Sequence, residues 1–244
     1  MIDYAIEVDN IYKSFKIYAD KSHSLKEKIL FWKRNRYYNR VILNGISFSV
    51  KKGEAVGIIG KNGCGKSTIL KLLTKIIYPS AGNIKMLGRV VSLIELGAGF
   101  HPDMSGRENI YINASIFGLT RKEINAKLDD IINFSELREF IDEPVRIYSS
   151  GMYARLAFSV AIHVNADILL IDEILGVGDI AFQNKCFQYL KSIKKSGVTI
   201  VIVSHSLGQI EEICDRSIWI KDGKIELVGA PKEVHSHFLE FMNQ

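Results

Sequence analysis

Three short stretches carry residues whose type and spacing could do chemistry on a phosphate ester. The first is Gly60-Lys61-Asn62-Gly63-Cys64-Gly65-Lys66-Ser67, followed by Thr68, which fits G-x-x-x-x-G-K-[ST]. Glycines let a backbone curl until successive N–H groups point at one place, and a helix start adds free donors and a positive dipole end. Lys66 then meets the β- and γ-phosphates, and Ser67 offers a hydroxyl to Mg²⁺. A chance match in a chain of this length is on the order of one in a hundred. The second stretch is Ile168-Leu169-Leu170-Ile171-Asp172-Glu173, an apolar strand that ends in two carboxylates. Asp172 can complete a magnesium shell, and Glu173 can take the proton of an attacking water. The third is the apolar run Thr199 to Val203, which leads into Ser204-His205 and can bring His205 beside the same phosphate.

These residues work only if strands and helices bring them together. Glu54 to Ile59 reads as a buried strand before the glycine loop, and Ile69, Leu70, Leu72 and Leu73 give the following segment helical spacing. Strand, glycine loop and helix form the context in which the loop becomes a phosphate cradle. Ala5 to Val8 and Val41 to Val50 alternate as strands, and one or two strands fall between Ile84 and Glu95 around Gly88. Residues 107–142 read as helices broken near Gly118 and around Phe134 to Glu136. Tyr148 to Met152 reads as a loop before an amphipathic helix that ends near Val164. A helix over Asp179 to Ser196, a hairpin about Asp222-Gly223 and a closing helix near Val234 to Met242 complete the chain. Alternating strands and helices imply a parallel sheet whose carboxyl edge holds the ligand.

The 244 residues are 47% hydrophobic and 24% charged, an ordinary globular balance, and no apolar run is long enough to span a bilayer. The opening MIDYAIEVDN lacks the apolar core of a secretory signal. Cys64, Cys186 and Cys214 show neither disulfide nor metal spacing, which suits a reducing compartment. The net charge is +5, and residues 20–40, with four Lys, three Arg, one Asp and one Glu, account for it. One local basic feature speaks against a general nucleic-acid binder. Within it, Ser24 can cap a helix from Leu25 to about Trp32. That helix reads either as a solvated surface helix or, with Phe31, Trp32, Tyr37 and Tyr38, as an amphipathic element at a membrane surface.

Tyr148-Ser149-Ser150-Gly151-Met152 resembles the signature loop of ATP-binding cassette ATPases, whose common form is Leu-Ser-Gly-Gly-Gln. Ser149 and Gly151 match, while Tyr148, Ser150 and Met152 depart. The order of phosphate loop, signature, acidic strand end and His205 is that of the family, and Val177-Gly178-Asp179 matches its D-loop. LIELGAGFHPDMSGRENIY, YSSGMYARLAFSVAIH and DEILGVGDIAFQNKC are similar to the ATPase subunits of bacterial polysaccharide exporters, which handle lipid-linked O-antigen, capsule or teichoic acid. The resemblance implies an α/β nucleotide-binding domain of the P-loop type. Its parts are a RecA-like parallel-sheet core over 1–96 and 159–228, N-terminal antiparallel strands, a helical subdomain over 97–158, a basic insertion over 16–40 and a C-terminal helix over 229–244. It implies ATP held by Gly60, Asn62, Gly63, Cys64, Gly65, Lys66, Ser67 and Thr68, with Phe15 or Tyr18 stacking on adenine. Ser67, Asp172 and, in place of the family's Q-loop glutamine but one residue offset, Glu95 are its Mg²⁺ or water contacts. Glu173, His205 and Lys66 are the catalytic set, and Ser149, Ser150, Gly151 and Asp179 face the ATP of a second copy.

The same resemblance implies a head-to-tail homodimer, a separate transmembrane permease, a lipid-linked polysaccharide substrate and a place on the cytoplasmic face of the bacterial inner membrane, without nucleic acid. Some members of the group carry a C-terminal carbohydrate-binding domain, for which these 244 residues leave no room; a short type and a truncated chain both fit this. The rival reading is a soluble cassette ATPase acting on nucleic acid or ribosomes. It lacks the long coiled coil or second cassette of such proteins, and an importer fits the signature and basic insertion less well.

Overall fold

The computed structural model describes residues 3–18, 37–94, 96–172 and 178–243. The helix expected over 25–32, Glu95, Glu173 and Val177 lie outside the described residues.

The described residues form two sheets. The larger has the strand order β5–β6–β7–β3–β8–β9, with β3 (Ala55–Ile59), β5 (Val90–Ser92), β6 (Ile168–Asp172), β7 (Thr199–Val203), β8 (Arg216–Lys221) and β9 (Lys224–Gly229). Its pairs are parallel from β5 through β8, and β9 returns antiparallel. The smaller sheet is antiparallel, in the order β2–β1–β4, with β1 (Tyr4–Tyr18), β2 (Tyr37–Lys51) and β4 (Ala81–Met86). The segment from Ile84 to Glu95 thus divides between the two sheets, with Gly88 at φ 111° in the corner.

The central strands are apolar throughout because both of their faces are covered. On β3, Ala55 and Ile59 face one core and Val56 and Ile58 the other. Leu169 and Ile171 alternate in the same way with Ile168 and Leu170, as do Ile200 and Ile202 with Val201 and Val203. The first core lies under α2 (Gly106–Ile116), α3 (Arg121–Ser135), α4 (Ser150–Ile162) and α5 (Ile180–Lys195). The second closes over α1 (Lys66–Leu73) and the antiparallel sheet.

Helix boundaries follow local chemistry. Ser105 with Glu108 and Thr120 with Glu123 form reciprocal capping boxes at the starts of α2 and α3. Gly118 and Glu136, both at positive φ, end them. Asp179 caps α5 at the predicted position. Asp222 and Gly223, at φ 49° and 74°, make the tight turn of the β8–β9 hairpin. Pro231 opens the final helix, α7 (Pro231–Met242), three residues before the predicted start.

Several elements run beyond their predicted limits. β1 and β2 pair from Tyr4 opposite Lys51 out to Tyr18 opposite Tyr37, so both ends of the basic insertion are strand. Backbone pairing carries this ribbon past its buried half, where polar and aromatic residues hide the alternation. The limit at 158 falls inside α4, which joins the helical part to the core without a break. The signature loop is shorter than expected, because α4 begins at Ser150. A helix not predicted, α6 (Leu207–Ile213), follows β7 directly; seven residues are too few for a clear helical period.

Candidate functional site

The order β6–β7–β3 places three chemically loaded strand ends side by side. Ile58 lies opposite Val203, and Val203 opposite Asp172, so the ends stand in one row. The glycine loop leaves β3, His205 follows β7, and Asp172 ends β6. Phe15, Arg40, Ile42, Asn62, Gly63, Gly65, Lys66, Ser67, Thr68, Asp172, Val203 and His205 line one cleft of about 400 Å³ at this edge.

The loop fits its glycines tightly. Gly65 has φ 113°, and a Cβ there would stand 2.5 Å from Leu43 Cδ2. A Cβ on Gly60 would meet the Ile220 carbonyl at 2.3 Å. Gly65 supplies no side-chain cap to α1, and no acidic residue sits in the first turn, so the helix-start donors are left to an incoming anion. Lys66 is 6% exposed, and its ammonium donates to the carbonyls of Gly60 (2.7 Å) and Lys61 (3.1 Å). Burial pushes the Cys64 thiol up, with the Lys66 charge pulling the other way, so this cysteine stays a thiol inside the loop.

Phe15, 40% exposed, lies at the cleft mouth beside Arg40, its ladder partner. Tyr18 is absent from the cleft lining; it packs on Tyr37, ring centroids 5.9 Å apart, at the far end of the ribbon. Of the two aromatic candidates, Phe15 is the one that lines this cleft. Arg40 and Ile42 escaped the sequence reading, because only the ladder register of a long ribbon brings them to the loop. Ser67 and Asp172 offer hard oxygen donors in one cleft, the donor chemistry Mg²⁺ takes, and magnesium at such sites draws its remaining ligands from phosphates and water.

The signature residues stand elsewhere. Ser149, Ser150, Gly151, Met152, Ala154, Arg155, Gly178 and Asp179 line a separate, open cleft of about 570 Å³, and no residue is shared with the phosphate cleft. Ser149 caps α4, its hydroxyl accepting from the Met152 N–H at 3.2 Å. Tyr148, in place of the usual leucine, donates its hydroxyl to the Phe140 carbonyl at 2.7 Å, and burial raises its pKa to about 12. Arg155 ties the surface together: it pairs with Asp179 at 2.6 Å and Glu136 at 3.0 Å, and Lys185 reaches Glu136 at 2.7 Å. The Phe182 N–H and the Arg155 charge hold the Asp179 carboxyl below the usual range. Arg155 gave no signal in sequence beyond its place on an amphipathic helix.

The fold and the two clefts define an ATP-binding cassette. A family model described as "ABC transporter" matches residues 43–176, and the chain belongs to that family and carries its ATPase domain. The O-antigen export system ATP-binding protein of Klebsiella pneumoniae is 48% identical over 235 residues, spanning 94% of this chain and 95% of its own. The protein of the same name from Myxococcus xanthus is 50% identical over 243 residues; this chain spans 97% of itself but only 56% of that relative. A teichoic acids export ATP-binding protein of Levilactobacillus brevis is 42% identical over 98% of this chain and 65% of its own length. Among solved structures, the ATP-binding subunit of an ABC transporter superposes with TM-score 0.76 at 20% identity over 96% of this chain and 93% of that one. A dimeric ATP-binding cassette bound to ADP and Pi gives 0.73 at 20% identity, over 93% and 98%. Among the described residues no helix is long and apolar enough to cross a membrane.

Proposed function

We propose that this chain is the ATP-hydrolysing subunit of an exporter that carries a lipid-linked polysaccharide, O-antigen foremost and capsule or teichoic acid next, across the cytoplasmic membrane. The observation that carries the hydrolytic part is the row of strand ends that gathers Phe15, the glycine loop, Asp172 and His205 in one cleft. The names of the Klebsiella, Myxococcus and Levilactobacillus relatives support the exporter part. A permease outside this chain would supply the membrane path, with the subunit bound to it from the cytoplasmic face. The basic segment at residues 20–40 offers positive charge to an anionic surface or a phosphate-linked substrate.

In this reading ATP enters with its base toward Phe15 and its phosphates on the glycine loop. Lys66 exchanges the Gly60 and Lys61 carbonyls for phosphate oxygens. Ser67 and Asp172 would hold Mg²⁺, which when bound offsets charge on the β- and γ-phosphates. Glu173, next after Asp172 in the chain, takes a proton from the attacking water as its oxygen bonds to the γ-phosphorus, and ADP leaves. His205 holds the γ-phosphate. Because Ser149 and Asp179 stand on a different surface from Lys66, one chain supplies two half-sites, and a second copy turned head to tail brings its signature face to the open phosphate cleft.

The experiment replaces Lys66 by Ala in the full chain. Removing one such electrostatic contact costs about 10²- to 10³-fold in turnover. In the bacterium that carries this gene, the variant leaves the surface polysaccharide inside. Parent-rate hydrolysis by Lys66→Ala would overturn the ATP site. Normal display of the polymer in the gene's absence would overturn the export role.

A further inference from the structure

The C-terminal helix α7 packs on α6 and β8 and reaches the phosphate loop, and none of these contacts follows from the motifs. Near its start, His235 is 2% exposed. Its Nδ1 lies 2.8 Å from Glu211 Oε1 on α6, the helix that begins just after His205, and its Nε2 lies 3.1 Å from the Ser217 hydroxyl on β8. Both ring nitrogens are thus engaged, and the imidazole bridges α6 to β8. Near its end, Phe238 and Phe241 pack on Trp219, at ring-centroid distances of 5.7 and 5.4 Å. α7 is therefore pinned to the core at both ends.

Phe241 also meets the phosphate loop. The Lys61 ammonium sits 4.2 Å from the Phe241 ring centroid, and the Lys221 ammonium 4.5 Å. Lys61 is the first residue after Gly60, and its carbonyl accepts from Lys66 at 3.1 Å. Side chain and carbonyl of one residue thus join the C-terminal helix to the lysine of the phosphate site. A cleft of about 390 Å³ between Phe241, Trp219 and the loop borders the phosphate cleft through Arg40, Ile42, Asn62 and Gly63. Leu43, Ile220 and Lys66 hold the loop at Gly65, Gly60 and its carbonyls, and Phe241 adds an anchor on the Lys61 side chain.

We propose that Phe241 is a positioning residue for ATP binding: its ring holds Lys61 and so presets the phosphate loop. The proposal rests on reading the cleft as the ATP site. It assigns Phe241 a role through Lys61, with no contact to nucleotide. A cation over an aromatic ring at an exposed site corresponds to an effect of about 2- to 5-fold on an equilibrium.

The test compares Phe241→Leu, Phe241→Tyr and Lys61→Met in the full chain. It reads KM for ATP, kcat, and hydrogen exchange of the amides of residues 60–66 without nucleotide. Leu keeps apolar contact with Trp219 and lacks a π face; Tyr keeps both. The expected result is a KM raised about 2- to 5-fold by Phe241→Leu at nearly unchanged kcat, with faster loop exchange and parent values for Phe241→Tyr. Lys61→Met gives the same shift, and the double variant adds nothing to it. Equal defects from Leu and Tyr, additive effects in the double variant, or loop exchange at the parent rate in Phe241→Leu would overturn the proposal. A parent chain that fails to hydrolyse ATP would sink the ATPase reading instead, while the exchange rates would still decide whether Phe241 holds the loop.

Discussion

The phosphate cleft and the signature surface are built by different means. The cleft is made by backbone: three adjacent strand ends in register and a glycine loop that tolerates no side chain at Gly60 or Gly65. The signature surface is made by side chains: the Ser149 cap, and Arg155 bridging Asp179 and Glu136. In the proposed function the first holds the triphosphate within one chain. The second presents a helix start and small hydroxyl residues to open solvent, and in the proposed function it is half of a shared site.

The largest test of this contrast is Glu173→Gln. Loss of a general base costs about 10²- to 10⁴-fold in rate, while nucleotide affinity should hold, because Lys66, Ser67 and Asp172 remain. A hydrolysis rate at the parent value would remove Glu173 from the mechanism. The signature surface should respond more mildly and in another parameter. Arg155→Met frees α4 from Asp179 and is expected to lower turnover about tenfold, the equivalent of about 1.4 kcal/mol, with ATP affinity of the isolated chain unchanged. Equal loss of affinity would mean that the two regions are not separate.

The mildest effect is one of pH. Asp179 has its carboxyl depressed in the folded chain by the Phe182 N–H and Arg155. A depressed carboxyl contributes stability above its unfolded pKa, near 3.8, and loses it as pH falls through the lower folded value. The difference in melting temperature between parent and Asp179→Asn is therefore flat from about pH 8 to pH 5 and shrinks only below about pH 4. A difference that vanishes already near pH 6 would show that the Asp179 charge is not what fixes the signature surface.

The same contrast explains what could be read from the sequence. The cleft was legible because its residues follow apolar runs with fixed geometry: Ile59 before the loop, Ile171 before Asp172, Val203 before His205. Helix limits were legible where a residue gives a local signal, as at Gly118 and Asp179, while the caps Ser105 and Thr120 emerged only in the structure. Arg40 was not, because its place depends on the register of a fifteen-residue ribbon pairing across a long insertion. Arg155 and Phe241 were not, because each matters through a neighbour far along the chain, Asp179 in one case and Lys61 in the other. Residues that chemistry needs at a strand end carry a local signal; residues that hold such groups in place do not.

The central claim is that the signature face of one copy closes on the nucleotide held in the phosphate cleft of another. Size-exclusion chromatography of Glu173→Gln with Mg²⁺ and ATP tests it most directly. The expected result is a dimer with ATP, a monomer with ADP, and a monomer with ATP when Ser149→Arg is added to the same chain. An ATP-dependent dimer that survives Ser149→Arg, or a Glu173→Gln chain that binds ATP yet stays monomeric throughout, would contradict it.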